Sequence, residues 1–244
     1  MFDVYRVDEF NLVIESIEFQ IVLLISSNLN LGEHKCLRTK LVYAVGHFAL
    51  GYLTGKISST ALKVKVNIPL LFFASVLPDV DLLIPGLEHR GPLHSLVVCC
   101  LLVIPFMILY KQKVIPYCVA LFQHSLIGDY VTGGSQLLWP FSQALYGIDT
   151  MVEGLPNIAV EWLVFVVAIV VMFKNKDMMR LFSSDISNLV LFIPFVTVLL
   201  PTVATFPLYV PWALLVPHLV FVVIFTYSLY MTLKSVIRKN GVSC

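Results

Sequence analysis

Charge is what this chain lacks most. Only 13% of its 244 residues are Asp, Glu, Lys or Arg, while 59% are hydrophobic. A soluble domain carries about 25% charged and about 45–50% apolar residues. The composition therefore excludes a soluble globular protein and, with a mean hydropathy of +0.90, implies an integral membrane protein. An excess of either charge sign is also missing. The net charge of +1 excludes the basic footprint of a nucleic-acid partner and leaves membrane lipids as the expected surroundings. The five cysteines, Cys36, Cys99, Cys100, Cys118 and Cys244, form no CxxC pair and no even framework, which argues against a thiolate site or a disulfide scaffold. Three of them sit in apolar runs and read as buried free thiols. No basic stretch precedes a short apolar core and a small-residue cleavage site, so no cleaved signal peptide is expected.

What the chain has is long apolar runs. About 20 apolar residues cross a bilayer, and candidate spans fall at 68–85, 92–110, 114–131, 157–173, 187–206 and 211–233, with a less apolar one at 41–57. An eighth, 11–28, carries Glu15 and Glu18. Those acids are costly in lipid, so it reads either as a span or as a helix on the membrane surface. The predicted fold class is all-α: a polytopic membrane helix bundle of about seven to eight helices. The predicted organisation is an N-terminal extension over 1–40, a domain over 41–156 that carries the chemistry, and C-terminal transmembrane helices over 157–244. Basic residues alternate between loops. Lys56, Lys63 and Lys65, then Lys111 and Lys113, then Lys174, Lys176 and Arg180, then Lys234, Arg238 and Lys239 fall at one set of connections, while loops 86–91, 133–156 and 207–210 hold only Arg90. The positive-inside rule puts the basic set in the cytoplasm and the others outside. Lys35, Arg38 and Lys40 disagree if 41–57 crosses fully.

Residues 187–233 contain no Asp, Glu, Lys or Arg and read as scaffold. Their one histidine, His218, is expected to be hydrogen-bonded between helices. The ionisable residues instead gather earlier. His47 lies in the first clear span, Asp79 and Asp81 end the next, Glu88, His89 and Arg90 form a loop, His94 opens the following helix, and His124 and Asp129 close 114–131. Intramembrane charges are rare and usually functional, and histidine with carboxylate is the ligand chemistry of zinc, manganese or iron. At 1.5 Å per residue, His47 and His124 lie about 10 Å below the outer face at most, near the level of the others.

Each signal has a plainer reading. In GHFALGYLTGK, His47, Gly51 and Gly55 are four apart and share a face. The glycines permit close helix packing, and the histidine is then incidental. In LPDVD, Pro78 disturbs the helix before two carboxylates, which turn to a metal or form a solvated helix end. His89 reads as a ligand, a general acid or an exposed residue. Arg90 reads as a clamp on an anionic substrate oxygen or as a lipid headgroup contact. Ser95 and Thr132 are weak candidates to support ligands from behind. Glu161 reads as a charge near a helix N-terminus rather than a further ligand.

The ordered set GHFALG, LPDVD, HRGPLHS and HSLIGDYVTGG, followed by LLWPFS, resembles the YdjM-like family of LexA-binding, or LexA-regulated, inner-membrane metal-dependent hydrolases. The resemblance runs over about residues 41–142. It implies metal-assisted hydrolysis at a membrane and supplies no substrate. Carried over by position, it implies metal ligands at His47, Asp79, Asp81, His94, His124 and Asp129, with His89 and Arg90 beside them as catalytic candidates. One departure stands out. The family spaces its last His and Asp four apart, whereas HSLIGD spaces them five apart, about 140° around an ideal helix. Either a π-bulge, with Gly128 as its site, restores the facing, or one of the two is not a direct ligand.

Six candidate ligands exceed the three of an open catalytic zinc site, so one or two divalent ions are expected, zinc first and manganese or iron as alternatives. The expected function is a membrane-embedded hydrolase near the extracytoplasmic face of the plasma membrane, acting on a lipid or lipid-linked substrate such as a phosphoester. The rivals are a metal or ion transporter and a non-catalytic membrane protein stabilised by metal.

Overall fold

The structure is a computed structural model that describes residues 44–148, 154–200 and 210–241. The expectations for residues 1–40, including Cys36, Lys35, Arg38 and Lys40, lie outside these residues, as does Cys244. Among the described residues every regular element is helical. Helix α1 is Ala44–Ala61. Helix α2, Ile68–Ser75, opens on Asn67, whose side chain accepts from the Leu70 amide at 3.1 Å. Pro78 has no N–H to continue the ladder, and the chain tightens into a 3₁₀ helix over Leu77–Leu83. The span expected at 68–85 is therefore divided. Helix α3, Leu96–Tyr110, is capped by Ser95 and contains Pro105. Helix α4, Ile115–Gln123, passes into a π-helix over His124–Asp129. Helix α5 is Leu155–Lys174, and α6 is the short Asp177–Leu181. The apolar segment α7, Ile186–Leu199, runs from a 3₁₀ start to a π-helical end. Helix α8 is Leu215–Gly241.

Among the described residues three stretches are long and apolar enough to cross a membrane: Leu96–Lys113, Leu155–Lys174 and Trp212–Lys239. The span predicted at 41–57 is the unbroken 18-residue α1, less apolar than these three. Of the others, α7 is shorter, the spans around α2 and α4 are broken into segments, and 11–28 lies outside the described residues. Cys99 and Cys118 are buried free thiols, while Cys100 is exposed on α3, contrary to expectation.

One apolar core joins the two halves of the chain. Phe48 of α1, Phe72 of α2, Phe165 of α5 and Phe221 and Phe225 of α8 are all buried. Their rings meet at centroid distances of 5.2–5.9 Å, mostly tilted or edge-on, the arrangement aromatic quadrupoles favour. Polar bonds fasten the later helices. Asn188 donates to Thr232 at 3.1 Å, and buried His218 donates from Nε2 to the Leu199 carbonyl at 3.2 Å, the interhelical bond expected of it. At the basic end, buried Asp177 accepts from Tyr52 at 2.9 Å and Lys56 at 2.6 Å, and pairs with Arg180 at 3.2 Å.

The glycine stripe of α1 sets the approach of α2. A Cβ on Gly51 would lie 2.1 Å from the Ser75 Cβ, whereas one on Gly55 would meet the end of the Leu71 side chain at 2.3 Å. The first neighbour is fixed to backbone and the second can swing away. Gly51→Ala is expected to destabilise the protein by about 1–3 kcal/mol or more, and Gly55→Ala by less. Thermal unfolding in detergent checks the order, and equal effects would contradict this account of the helix contact.

Candidate metal centre

The broken ends of α2 and α4 bring the ionisable residues together. After Pro78, the 3₁₀ turn points both Asp79 and Asp81 inward, and each is buried. His94 sits in a 3₁₀ turn, Pro92–His94, just ahead of α3. The π-helix over HSLIGD adds one residue to the turn, so His124 and Asp129 face the same way despite their five-residue spacing. Gly128 within it is a cradle, since a Cβ there would fall 2.3 Å from His47 Cε1. His47, Asp79, Asp81, His94, His124 and Asp129 are all buried at this end of the bundle, each at 4% exposure or less.

Four donor atoms converge. His94 Nε2 lies 3.5 Å from Asp79 Oδ1, 3.2 Å from Asp129 Oδ2 and 3.2 Å from His124 Nε2. His124 Nε2 lies 3.2 Å from Asp79 Oδ1 and 3.5 Å from Asp129 Oδ2. A zinc ion held tetrahedrally at 2.0–2.1 Å spaces its N and O ligands about 3.3–3.4 Å apart. These five distances straddle that spacing.

The far sides of the rings fix the lone pairs. His124 Nδ1 is 2.8 Å from the Ser75 carbonyl, which can only accept, so Nδ1 carries a proton and, whenever the ring is neutral, Nε2 presents a lone pair. His94 Nδ1 lies 3.2 Å from Asp81 Oδ2, an ion-pair distance that favours a proton on Nδ1. Backing a ligand histidine with a carbonyl or a carboxylate is the usual second layer of a metal site. Asp81 thus stands behind His94 rather than beside Asp79 in the cage, and its other oxygen takes His89 Nδ1 at 3.0 Å.

Arg90 is placed likewise. Its Nη2 is 3.3 Å from Asp129 Oδ1, and its Nη1 donates to the Thr132 carbonyl at 3.0 Å. The guanidinium is buried behind Asp129, so it orients that carboxylate rather than extending to a lipid headgroup. Thr132 supports it, accepting from Nη2 at 3.3 Å. Ser95 instead donates to the Trp139 carbonyl at 2.7 Å, tying down the 133–148 loop. His47 stacks on His124 at 3.7 Å and points Nε2 at Asp129 Oδ1 from 3.8 Å. Two triads hold one donor atom per residue within 4.8 Å of one another, His47–His124–Asp129 and Asp79–His89–His94.

Glu161 lies in the second turn of α5, buried against Gly46, with Asn157 donating to it at 3.3 Å. Three supporting groups were missed from sequence. The Ser75 carbonyl holds His124, Gln123 Nε2 donates to the His47 carbonyl at 3.3 Å, and Gln136 donates to Glu88 at 3.3 Å. Ser75 alone left a trace, being the small residue that a close-packing glycine stripe requires opposite it.

A helical membrane protein with a buried cluster of histidines and aspartates is the class these features define. The family model described as YdjM inner membrane protein matches residues 43–232, more than three quarters of the chain, and the chain belongs to that family. The match extends the resemblance drawn on 41–142 through α5 and most of α8. No curated protein and no solved structure matches the chain.

The cage separates two roles. Asp79→Ala removes a donor atom and is expected to abolish tight binding of a divalent ion. Asp81→Asn leaves the donors in place and is expected to lower affinity by about 10–100-fold. Zinc titration of the purified variants checks this, and equal losses would return Asp81 to the ligand set.

Proposed function

We propose that this chain is a multi-pass membrane protein of seven or eight helices that hydrolyses a lipid or lipid-linked substrate, such as a phosphoester, at a metal centre near the extracytoplasmic face. Residues 41–156 carry the chemistry in this reading, and 157–244 serve as scaffold. The observation that carries it is the division of Asp129. One oxygen lies within 3.5 Å of His94 and His124 Nε2, and the other lies 3.8 Å from His47 Nε2 beside its 3.3 Å pairing with Arg90. A carboxylate with ligands on both sides suits a bridge between two ions.

Asp79, His94, His124 and Asp129 would hold one divalent ion, with His47 at a second position beside Asp129. Zinc suits the mixed N and O donors and their tetrahedral spacing, with manganese or iron as alternatives. Bound metal supplies an activated water at neutral pH and a positive charge on the bond under attack. The chain's own residues do the rest. Asp81 holds the His94 tautomer, and Arg90 holds Asp129. His89 is less buried than the cage, and among the described residues its Nε2 has no hydrogen-bond partner. With Nδ1 on Asp81, it is placed to pass a proton to a leaving oxygen. The orientation follows the basic loops, which share the opposite end of the bundle from the cage and belong in the cytoplasm by the positive-inside rule.

One observation favours a second reading, a non-catalytic protein stabilised by metal. Four protein donors lie close enough to fill the coordination of one ion, and closed coordination marks structural zinc. Turnover decides. Purified protein loaded with zinc or manganese is expected to hydrolyse phosphodiester or lipid phosphoester substrates. Asp79→Ala and His94→Ala are expected to lose both metal and activity. His89→Ala is expected to keep metal and lose about 10²–10⁴-fold in rate. Bound metal with no turnover, and a melting temperature that falls with chelation, would establish the structural reading. Metal flux into proteoliposomes without turnover would establish a transporter. Labelling of a cysteine at position 89 only from the cytoplasmic side would overturn the orientation.

A further inference from the structure

A groove of about 1240 Å³ runs between α2, α3 and α4, away from the cage. Its lining changes character along its length. Towards the cage it is apolar, with Phe73, Leu77, Leu93, Leu102, Val103 and Phe106. At the opposite end five basic residues line it, Lys56, Lys63, Lys65, Lys113 and Arg180, against one acid, Asp185. Lys56 and Arg180 share buried Asp177. Among the described residues no carboxylate pairs with Lys63, Lys65 or Lys113, so the mouth keeps a positive excess.

The groove also has the length of a lipid leaflet or more. Its wall, α3, belongs to a membrane-length stretch, Leu96–Lys113. From Cys99 to Tyr110, both lining residues, the helix rises about 17 Å. The basic mouth therefore coincides with the charged end of a span, the level of phosphate headgroups, and the apolar part lies at the depth of acyl chains. Polar donors wait at the mouth as well. Tyr117 and Asn67 line it, and the tyrosine hydroxyl accepts from the Asn67 amide at 2.7 Å.

From this gradient we infer that the groove is a binding site for an anionic phospholipid, its phosphate held by Lys63, Lys65 and Lys113 and its acyl chains laid along α3. Basic pockets between membrane helices on the cytoplasmic side suit such headgroups. The site is independent of the metal centre and of the hydrolase reading.

The test uses the full chain, delipidated in neutral detergent and titrated with phosphatidylglycerol or with phosphatidylcholine, with bound lipid read by native mass spectrometry. Phosphatidylglycerol is expected to bind at least about tenfold more tightly, at about 1 kcal/mol per basic residue. The double variant Lys63→Glu/Lys65→Glu changes two exposed side chains and is expected to lose that preference. Lys174→Glu, a basic residue outside the groove, is expected to keep it. Leu102→Trp fills the apolar part and is expected to weaken both lipids. Equal binding of the two lipids overturns the proposal, as does a preference that survives the double reversal or is lost equally in Lys174→Glu. A cysteine at position 102 that cross-links in vesicles to a second copy, or to another part of the chain, shows the groove covered by protein and also overturns it.

Discussion

His94 and His124 Nε2 stand 3.2 Å apart, with carboxylate oxygens of Asp79 and Asp129 at 3.2–3.5 Å from them. The Ser75 carbonyl takes the Nδ1 proton of His124 on the other side. All four side chains are buried. Buried carboxylates are costly without a compensating positive charge, which either protons on the rings or a cation among the four atoms supplies. Much of the rest of this end of the molecule serves to keep those four atoms in place.

The backbone departs from the α-helix wherever the cage needs it. Pro78 turns the chain into the 3₁₀ helix that aims Asp79 and Asp81 inward. The π-helix turns Asp129 onto the face of His124, and Gly128 inside it leaves room for the His47 ring. Arg90 adopts a positive φ of 63°, which most side chains avoid, and its guanidinium reaches behind Asp129. Irregular helix inside a bundle is tolerated where protein satisfies the freed backbone. The Thr132 and Gly134 carbonyls, taken up by Arg90 at 3.0 and 3.4 Å, are an instance.

The residues of the cage were legible in the sequence because each is an ionisable group out of place in an apolar chain. The glycine stripe was legible from its four-residue spacing, and the π-helix from a five-residue spacing that an α-helix cannot serve. What lay beyond sequence was direction. Asp79 and Asp81 are two apart and look alike, and only the 3₁₀ geometry turns one into the cage and the other behind His94. Arg90 read as a clamp on a substrate oxygen or as a headgroup contact. It turned inward because Asp129 and two carbonyls outbid water in a dry site. The breaks at Pro78 and over HSLIGD left signals in the sequence, but how short they leave the helices at 68–85 and 114–131 did not, since composition records how apolar a segment is and not where its hydrogen-bond register changes.

The two ends of the bundle show what a buried acid looks like with and without its counter-charge. Asp177 is buried as deeply as Asp79, yet Tyr52, Lys56 and Arg180 satisfy it, and that end is complete as a structural ion pair. At the cage, Asp79, Asp81 and Asp129 face Arg90 and the rings of His47, His94 and His124, in an environment where unpaired charge is strongly disfavoured. With protons on His94 and His124 the three carboxylates are balanced; with both rings neutral, as metal ligands are, two negative charges remain and one divalent ion brings them to zero. A second, in the place His47 marks, would leave two positive charges, which would need an anionic water-derived ligand or substrate to settle them. A structural site would gain nothing from that excess, whereas a site for a phosphoester would, so the number of ions bound bears directly on whether the centre is structural or catalytic.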